Sequence, residues 1–167
     1  MGQPILIEFR RELRVSNRKL VSGGSAGTPV HAGSFLRDRR IVLDLELLRD
    51  RQEQERILAH EIFHFVWWKL ERERRDEYRS LLEREIRLHI RGEMGWSAEW
   101  RKKALKAGDV KLGDRRWREY CCESFCDTAS IELLSLTKHP EVTLPRKARD
   151  LRRRWLEENL WRRRLKI

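Results

Sequence analysis

The spacing of apolar residues changes character near residue 50. Ahead of it, residues 4–10, PILIEFR, alternate, with Ile5 and Ile7 one way and Leu6 and Glu8 the other, which predicts a strand. The stretch FLRDRRIVLDLELL offers two further short strands, over 34–37 and 40–45, and the intervening RDR predicts a hairpin. Residues 21–34, VSGGSAGTPVHAGS, are rich in Gly and Ser and predict a mobile loop.

After residue 50 the period is helical. Asp50 followed by Glu53 has the form of a capping box, and the apolar run behind it predicts a helix to about residue 72. Residues 74–91 predict a charged helix whose apolar part is Leu81, Leu82, Ile86, Leu88 and Ile90, broken by Gly92 and Gly95. Ser97 is placed to cap a short helix ending at Gly108, and Asp114 to cap a longer one that stops before Pro140. Pro145 suits the first turn of a last helix, 145–165, carrying Ala148, Leu151, Trp155, Leu156 and Leu160 toward a core. The expected class is α+β: a small N-terminal β-sheet followed by a mostly helical part, in one domain over residues 1–167.

Charge changes the picture little. The net charge is +11, which allows contact with nucleic acid, acidic protein or anionic lipid. Yet acids stand three or four positions from arginines throughout, as in ERERRDEYRSLLEREIR, the pattern of a solvated helix face laced with ion pairs. No apolar run reaches the length of a membrane span, and MGQPILIEFRREL has no signal-peptide pattern. Cys121, Cys122 and Cys126 are odd in number and crowded together, a poor disulfide framework, so a reducing cytoplasmic setting is expected.

The candidate chemistry lies in ILAHEIFHFVWWKL, residues 57–70. His60 and His64 stand four apart, so on a helix both imidazoles occupy one face and can reach one metal ion. Glu61 is rotated off that face, misses the metal and can reach a water beside it, the role of a general base. Burying two histidines and a glutamate on one apolar helix is costly without partners, and a zinc ion supplies that partner directly. The competing reading is a core helix with hydrogen-bonded imidazoles.

A catalytic zinc takes three protein ligands, so a third must come from elsewhere. The H-E-x-x-H-x-x-G-x-x-H extension is excluded because Leu70 stands at its last position. An acid on another helix is the other solution. In EYCCESFCDTAS, Glu123 and Asp127 lie one turn apart: Glu123 would ligate, and Asp127 would accept the free ring N–H of a ligand histidine. The cysteines are a rival set, but Cys121-Cys122-xxx-Cys126 lacks the C-x-x-C spacing, and Cys122 and Cys126 read as core residues, as do Trp67 and Trp68. His31, His139 and Tyr120 are weaker candidates for stabilising an oxyanion.

HEIFH together with ESFCD resembles the gluzincins, zinc metallopeptidases with H-E-x-x-H on one helix and E-x-x-x-D on a second. Within them the chain looks most like the minimal zincins and ImmA/IrrE-type peptidases, which have a strand pair before the active-site helix and a later helix of the form E-x-x-A-[DN]-x-F-A. The resemblance spans about residues 34–136, though its specific parts are the two helices alone. It implies a zincin-like helical core, a Zn2+ cofactor and peptide hydrolysis. Aligning Phe125-Cys126 with the F-A of that pattern makes Glu119 the ligand and Glu123 its supporter; aligning E-x-x-x-D makes Glu123 the ligand. Glu123 is favoured, because Asp127 then supplies the shorter carboxylate that the supporting position usually carries.

The expected partner is a peptide or protein substrate, paired along the strand 40–44, or along 34–37 if the hairpin places it on the rim. The alternative is a zincin-fold binding protein that cuts nothing, associated with nucleic acid through the RRR runs at 152–154 and 162–164.

Overall fold

A computed structural model describes residues 3–17, 19–24 and 26–162. Two small three-stranded sheets at the N-terminus precede a mostly helical remainder, an α+β fold. The first sheet contains β1 (Leu6–Arg10), β5 (Ala32–Phe35) and β6 (Arg40–Asp44) in the order β1-β6-β5. The second contains β2 (Leu13–Ser16), β3 (Lys19–Ser22) and β4 (Thr28–Pro29) in the order β3-β2-β4.

The predicted hairpin is present as β5 and β6, antiparallel, with Phe35 opposite Arg40. The turn closes with Arg39 in the left-handed region, φ 46. Its central strand has both edges used, because β1 pairs with β6 in parallel on the other side. Residues 40–44 are therefore unavailable to a substrate strand, whereas β5 is a sheet edge that packs on the helix behind it. The stretch expected to be a mobile loop instead forms the end of β3, all of β4 and most of β5. Strand pairing overrides its Gly and Ser content, and Gly33 lets the Leu20 side chain approach the backbone of β5.

A 3-10 turn over Leu45–Arg49 leads into α1 (Arg51–Lys69). The Asp50 carboxylate caps this helix by accepting from the Glu53 N–H at 3.1 Å. Apolar residues face two sides of α1. Ile57, Leu58, Ile62 and Phe65 pack on Ile41 and Leu43 of the sheet. Phe63, Val66 and Trp67 pack on α5 (Arg115–Leu133) around Phe125, whose ring centroid lies 4.9 Å from that of Trp67. The third stripe carries His60, Glu61 and His64. Trp68, expected in the core, is 50 % exposed because it falls past the edge of both apolar sides.

The charged helix is α2 (Arg72–Arg87), ending before Leu88, which is exposed. The expected Ser97-capped helix divides into α3 (Trp96–Ala104) and α4 (Ala107–Leu112). Gly95, not Ser97, is the residue before α3; Ser97 lies inside its first turn and uses its hydroxyl elsewhere. Asp114 caps α5 through the Trp117 N–H at 3.0 Å, as expected. The last helix, α6 (Arg146–Leu156), continues as a π-helical turn through Trp161, and the predicted portion 163–165 lies outside the described residues. Ala148, Trp155, Leu156 and Leu160 are buried, while Leu151 is 38 % exposed. No helix among the described residues is long and apolar enough to cross a membrane.

The RRR run at 152–154 does not form a basic surface. Arg152 is fully buried and forks between two buried acids, with Nη2 2.6 Å from Glu85 Oε2 and Nη1 2.6 Å from Glu93 Oε2. It also donates to the Ser124 hydroxyl on α5 at 2.9 Å. Tyr120, a candidate oxyanion stabiliser, is committed to this network: its hydroxyl donates to Glu93 at 2.5 Å. Arg153 pairs with Glu132 at 2.7 Å. The other run, 162–164, lies mostly outside the described residues.

Burial would raise the Glu93 carboxyl, but Arg152, Lys102 and Tyr120 hold it at about 2. A folded pKa below the ordinary 4.5 stabilises the fold above that value and loses the contribution as pH falls from about 4.5 toward 2. Chemical denaturation across that window should show stability declining, with a smaller decline in Glu93→Gln. Arg152→Met should cost about 3–5 kcal/mol in the same measurement at neutral pH, because it strands buried Glu85 without its cation and leaves Glu93 with Lys102 alone.

Candidate metal centre

Three helices bring the candidate groups together. The histidines come from α1, the acids from α5, and α3 supplies the groups that hold the acids. His60 Nδ1 lies 2.7 Å from Asp127 Oδ1. Its other ring nitrogen, Nε2, lies 3.3 Å from Glu123 Oε2, and His64 Nε2 lies 4.0 Å from the same oxygen. The two imidazoles thus turn their Nε2 atoms toward one carboxylate oxygen, and the Nδ1 of His60 is occupied by a second acid.

Glu119, the other possible ligand, points away: it is exposed and pairs with Arg115 at 2.6 Å. The three acids lie on one broad stripe of α5, but packing against α1 and α3 covers only the lower two. Glu61 is 8 % exposed, and its carboxylate makes no hydrogen bond or ion pair among the described residues. His31 lines a cavity of about 550 Å³ with Leu13 and Asp44, and His139 pairs with Glu53 at 3.5 Å.

The cysteines are not simply core. Cys126 is fully buried and packs in the α1–α5 core, yet His60, His64 and Cys126 each offer a donor atom within 4.8 Å of the others. Cys122 Sγ lies 3.4 Å from His64 Nδ1. Both thiols sit at the edge between the apolar seam and the polar stripe, which periodicity alone assigned to the seam.

Sequence reasoning placed a short helix here but missed that α3 holds the acids. Ser97 Oγ donates to Glu123 Oε2 at 2.8 Å, and Arg101 Nη2 pairs with Glu123 Oε1 at 3.1 Å. The Ala98 N–H donates to Asp127 Oδ2 at 2.9 Å, and the positive end of the helix dipole favours that carboxylate. Gly95 permits the approach, since a Cβ there would overlap the Asp127 carboxyl group. The Trp96 N–H donates to Glu141 at 2.9 Å, and Glu141 also pairs with Arg56 of α1 at 3.3 Å. A serine and an arginine four apart on a short helix carry no motif of their own, so only the fold could reveal them.

The acids and imidazoles shift one another. Burial would raise the Glu123 carboxyl, but His64, His60 and Arg101 hold it far below the usual carboxylate range. Burial would lower both histidines. Glu123 reverses this for His64, which rises to about 9, and Asp127 with Glu123 reverses it for His60, which lies well above 6.5. A buried and a half-buried imidazole converging on one carboxylate oxygen, the buried one with its far nitrogen held by an acid, suit a zinc ion by donor type.

No family model, curated protein or solved structure matches the chain.

Gly95→Ala should displace Asp127 from His60 and destabilise the fold by about 1–3 kcal/mol, measured by denaturant unfolding. An unchanged midpoint would mean that the Gly95 approach is not needed.

Proposed function

We propose that this chain is a zinc-dependent metallopeptidase, with His60, His64 and Glu123 as the metal ligands and Glu61 as general base. The observation that carries the reading is the convergence of His60 Nε2 and His64 Nε2 on Glu123 Oε2, with Asp127 on the Nδ1 of His60. The resemblance of HEIFH and ESFCD to the gluzincins supports it, as does the exposed position of Glu119.

Asp127 fixes the His60 tautomer, so that Nε2 presents its lone pair to the metal. A zinc ion held there would acidify a water and polarise the substrate carbonyl. Glu61, buried and without a hydrogen-bond partner among the described residues, would be the group to accept a proton from such a water and hand it to the leaving amine. Burial of the centre strengthens these charge interactions relative to water. The substrate is an extended peptide, and β5 is the sheet edge beside α1 along which such a chain can add by backbone hydrogen bonds.

A second reading rests on Cys126. With its thiolate as a further ligand the centre would be closed and its metal structural. Cobalt substitution separates the two: a sulfur-to-cobalt charge-transfer band lost in Cys126→Ser supports the closed site, and its absence from the unmodified protein supports the open one.

Purified protein should carry about one zinc per chain, and His60→Ala should abolish binding. Glu61→Gln should keep the zinc and lose hydrolysis of a peptide library by about 10²–10⁴-fold. Full hydrolysis in that variant would refute Glu61 as the base.

A further inference from the structure

We infer that Arg101 sets which metal ions the centre accepts, by engaging one oxygen of Glu123 and leaving a single oxygen to the imidazoles. The inference rests on the metal-ligand reading above and extends it to cofactor selectivity.

The two oxygens of Glu123 have separate duties. Oε2 faces His60 Nε2 and His64 Nε2 and accepts from Ser97. Oε1 takes the Arg101 guanidinium at 3.1 Å. Arg101 is itself held in place, since its Nη1 donates to the Ser97 carbonyl at 3.0 Å and to the Ser97 hydroxyl at 3.1 Å, one turn earlier on α3. Its planar fork spans Ser97 and Glu123 together, which a lysine ammonium does not reproduce. Its stem lies beside Trp100, with the guanidinium carbon 5.3 Å from the ring centroid.

Two physical consequences have the same sign. A carboxylate with one oxygen engaged by a guanidinium favours one-point ligation, which keeps the coordination number low. Calcium and manganese gain from two-point carboxylates and high coordination number, whereas zinc and cobalt bind well to two imidazoles and one oxygen. The guanidinium also neutralises the one ligand charge of the set, and a hard cation that binds mainly by charge loses more from this than an ion bound by imidazole nitrogens. Together they make the centre selective for imidazole-favouring ions and hostile to oxygen-favouring ones.

The test uses the full chain, stripped of metal by chelation. Co2+ and Mn2+ are titrated separately against a chromophoric competitor into the unmodified protein, Arg101→Met, Arg101→Lys and Lys103→Met. Lys103 is exposed on the same helix and controls for the loss of a positive charge. The unmodified protein and Lys103→Met should bind Co2+ with the intense visible absorption of four-coordinate cobalt and bind Mn2+ poorly. Arg101→Met should gain Mn2+ affinity relative to Co2+ by about tenfold or more, and its cobalt absorption should weaken as Glu123 offers both oxygens. Arg101→Lys, keeping the charge without the fork, should fall between. Should the Met variant not fold, Arg101→Gln replaces it in the same comparison. An unchanged preference between Mn2+ and Co2+ on loss of the guanidinium overturns the role of Arg101. Failure of the folded, unmodified protein to bind Co2+ would instead overturn the metal centre itself.

Discussion

The candidate centre depends on one carboxylate, that of Asp127. It is 2 % exposed, so both its oxygens need partners. One takes His60 Nδ1 from α1 and the other takes the Ala98 N–H from α3. Three helices therefore meet at a single side chain. Hydrogen bonds to a charged group contribute about 1.5–3 kcal/mol each, enough to fix a helix register where apolar packing alone tolerates sliding. Removal of a bulky neighbour is part of the same device: residue 95 lacks a Cβ where one would overlap this carboxyl group.

The helix that carries Asp127 is polar on more than one side and still mostly buried. Glu123 and Asp127 face α1 and α3, while Ser124 and Thr128 face Arg152 of α6. Between them Cys121, Phe125 and Ala129 fill the apolar seam. Each polar stripe is answered by groups from another element, so α5 is held around much of its circumference. Such a platform fixes the Glu123 carboxylate, which under the proposed metal reading reduces the ordering cost of binding.

The arginine excess has mostly local uses. Arg51–Glu55, Arg79–Asp76 and Arg115–Glu119 are same-helix pairs at the surface, each worth little on its own. Arg152 and Arg101 are different in kind, because each forks across partners that include a residue of another helix, Arg152 fully buried and Arg101 half-buried. Composition does not distinguish these uses: in RRR at 152–154 the first arginine is core, the second pairs with Glu132, and the third bonds a backbone carbonyl of its own helix.

Strands β2, β3 and β4 were not legible in the amino-acid sequence, whereas the change from strand to helix near residue 50, the strands β1, β5 and β6, the caps at Asp50 and Asp114, and the pairing of His60 with His64 on one face were. All of them follow from interactions within a few residues, which the chain carries wherever it goes. The sequence also favoured Glu123 over Glu119, on the shorter carboxylate that Asp127 offers, and in the fold Glu119 lies exposed and paired with Arg115. Tertiary structure alone decided that β6 is central and β5 an edge, that Ser97 and Arg101 grip Glu123, and that Cys126 lies beside the histidines. These depend on which elements meet across 25 to 70 residues of chain, and a helical period states that a stripe exists without stating what lies opposite it.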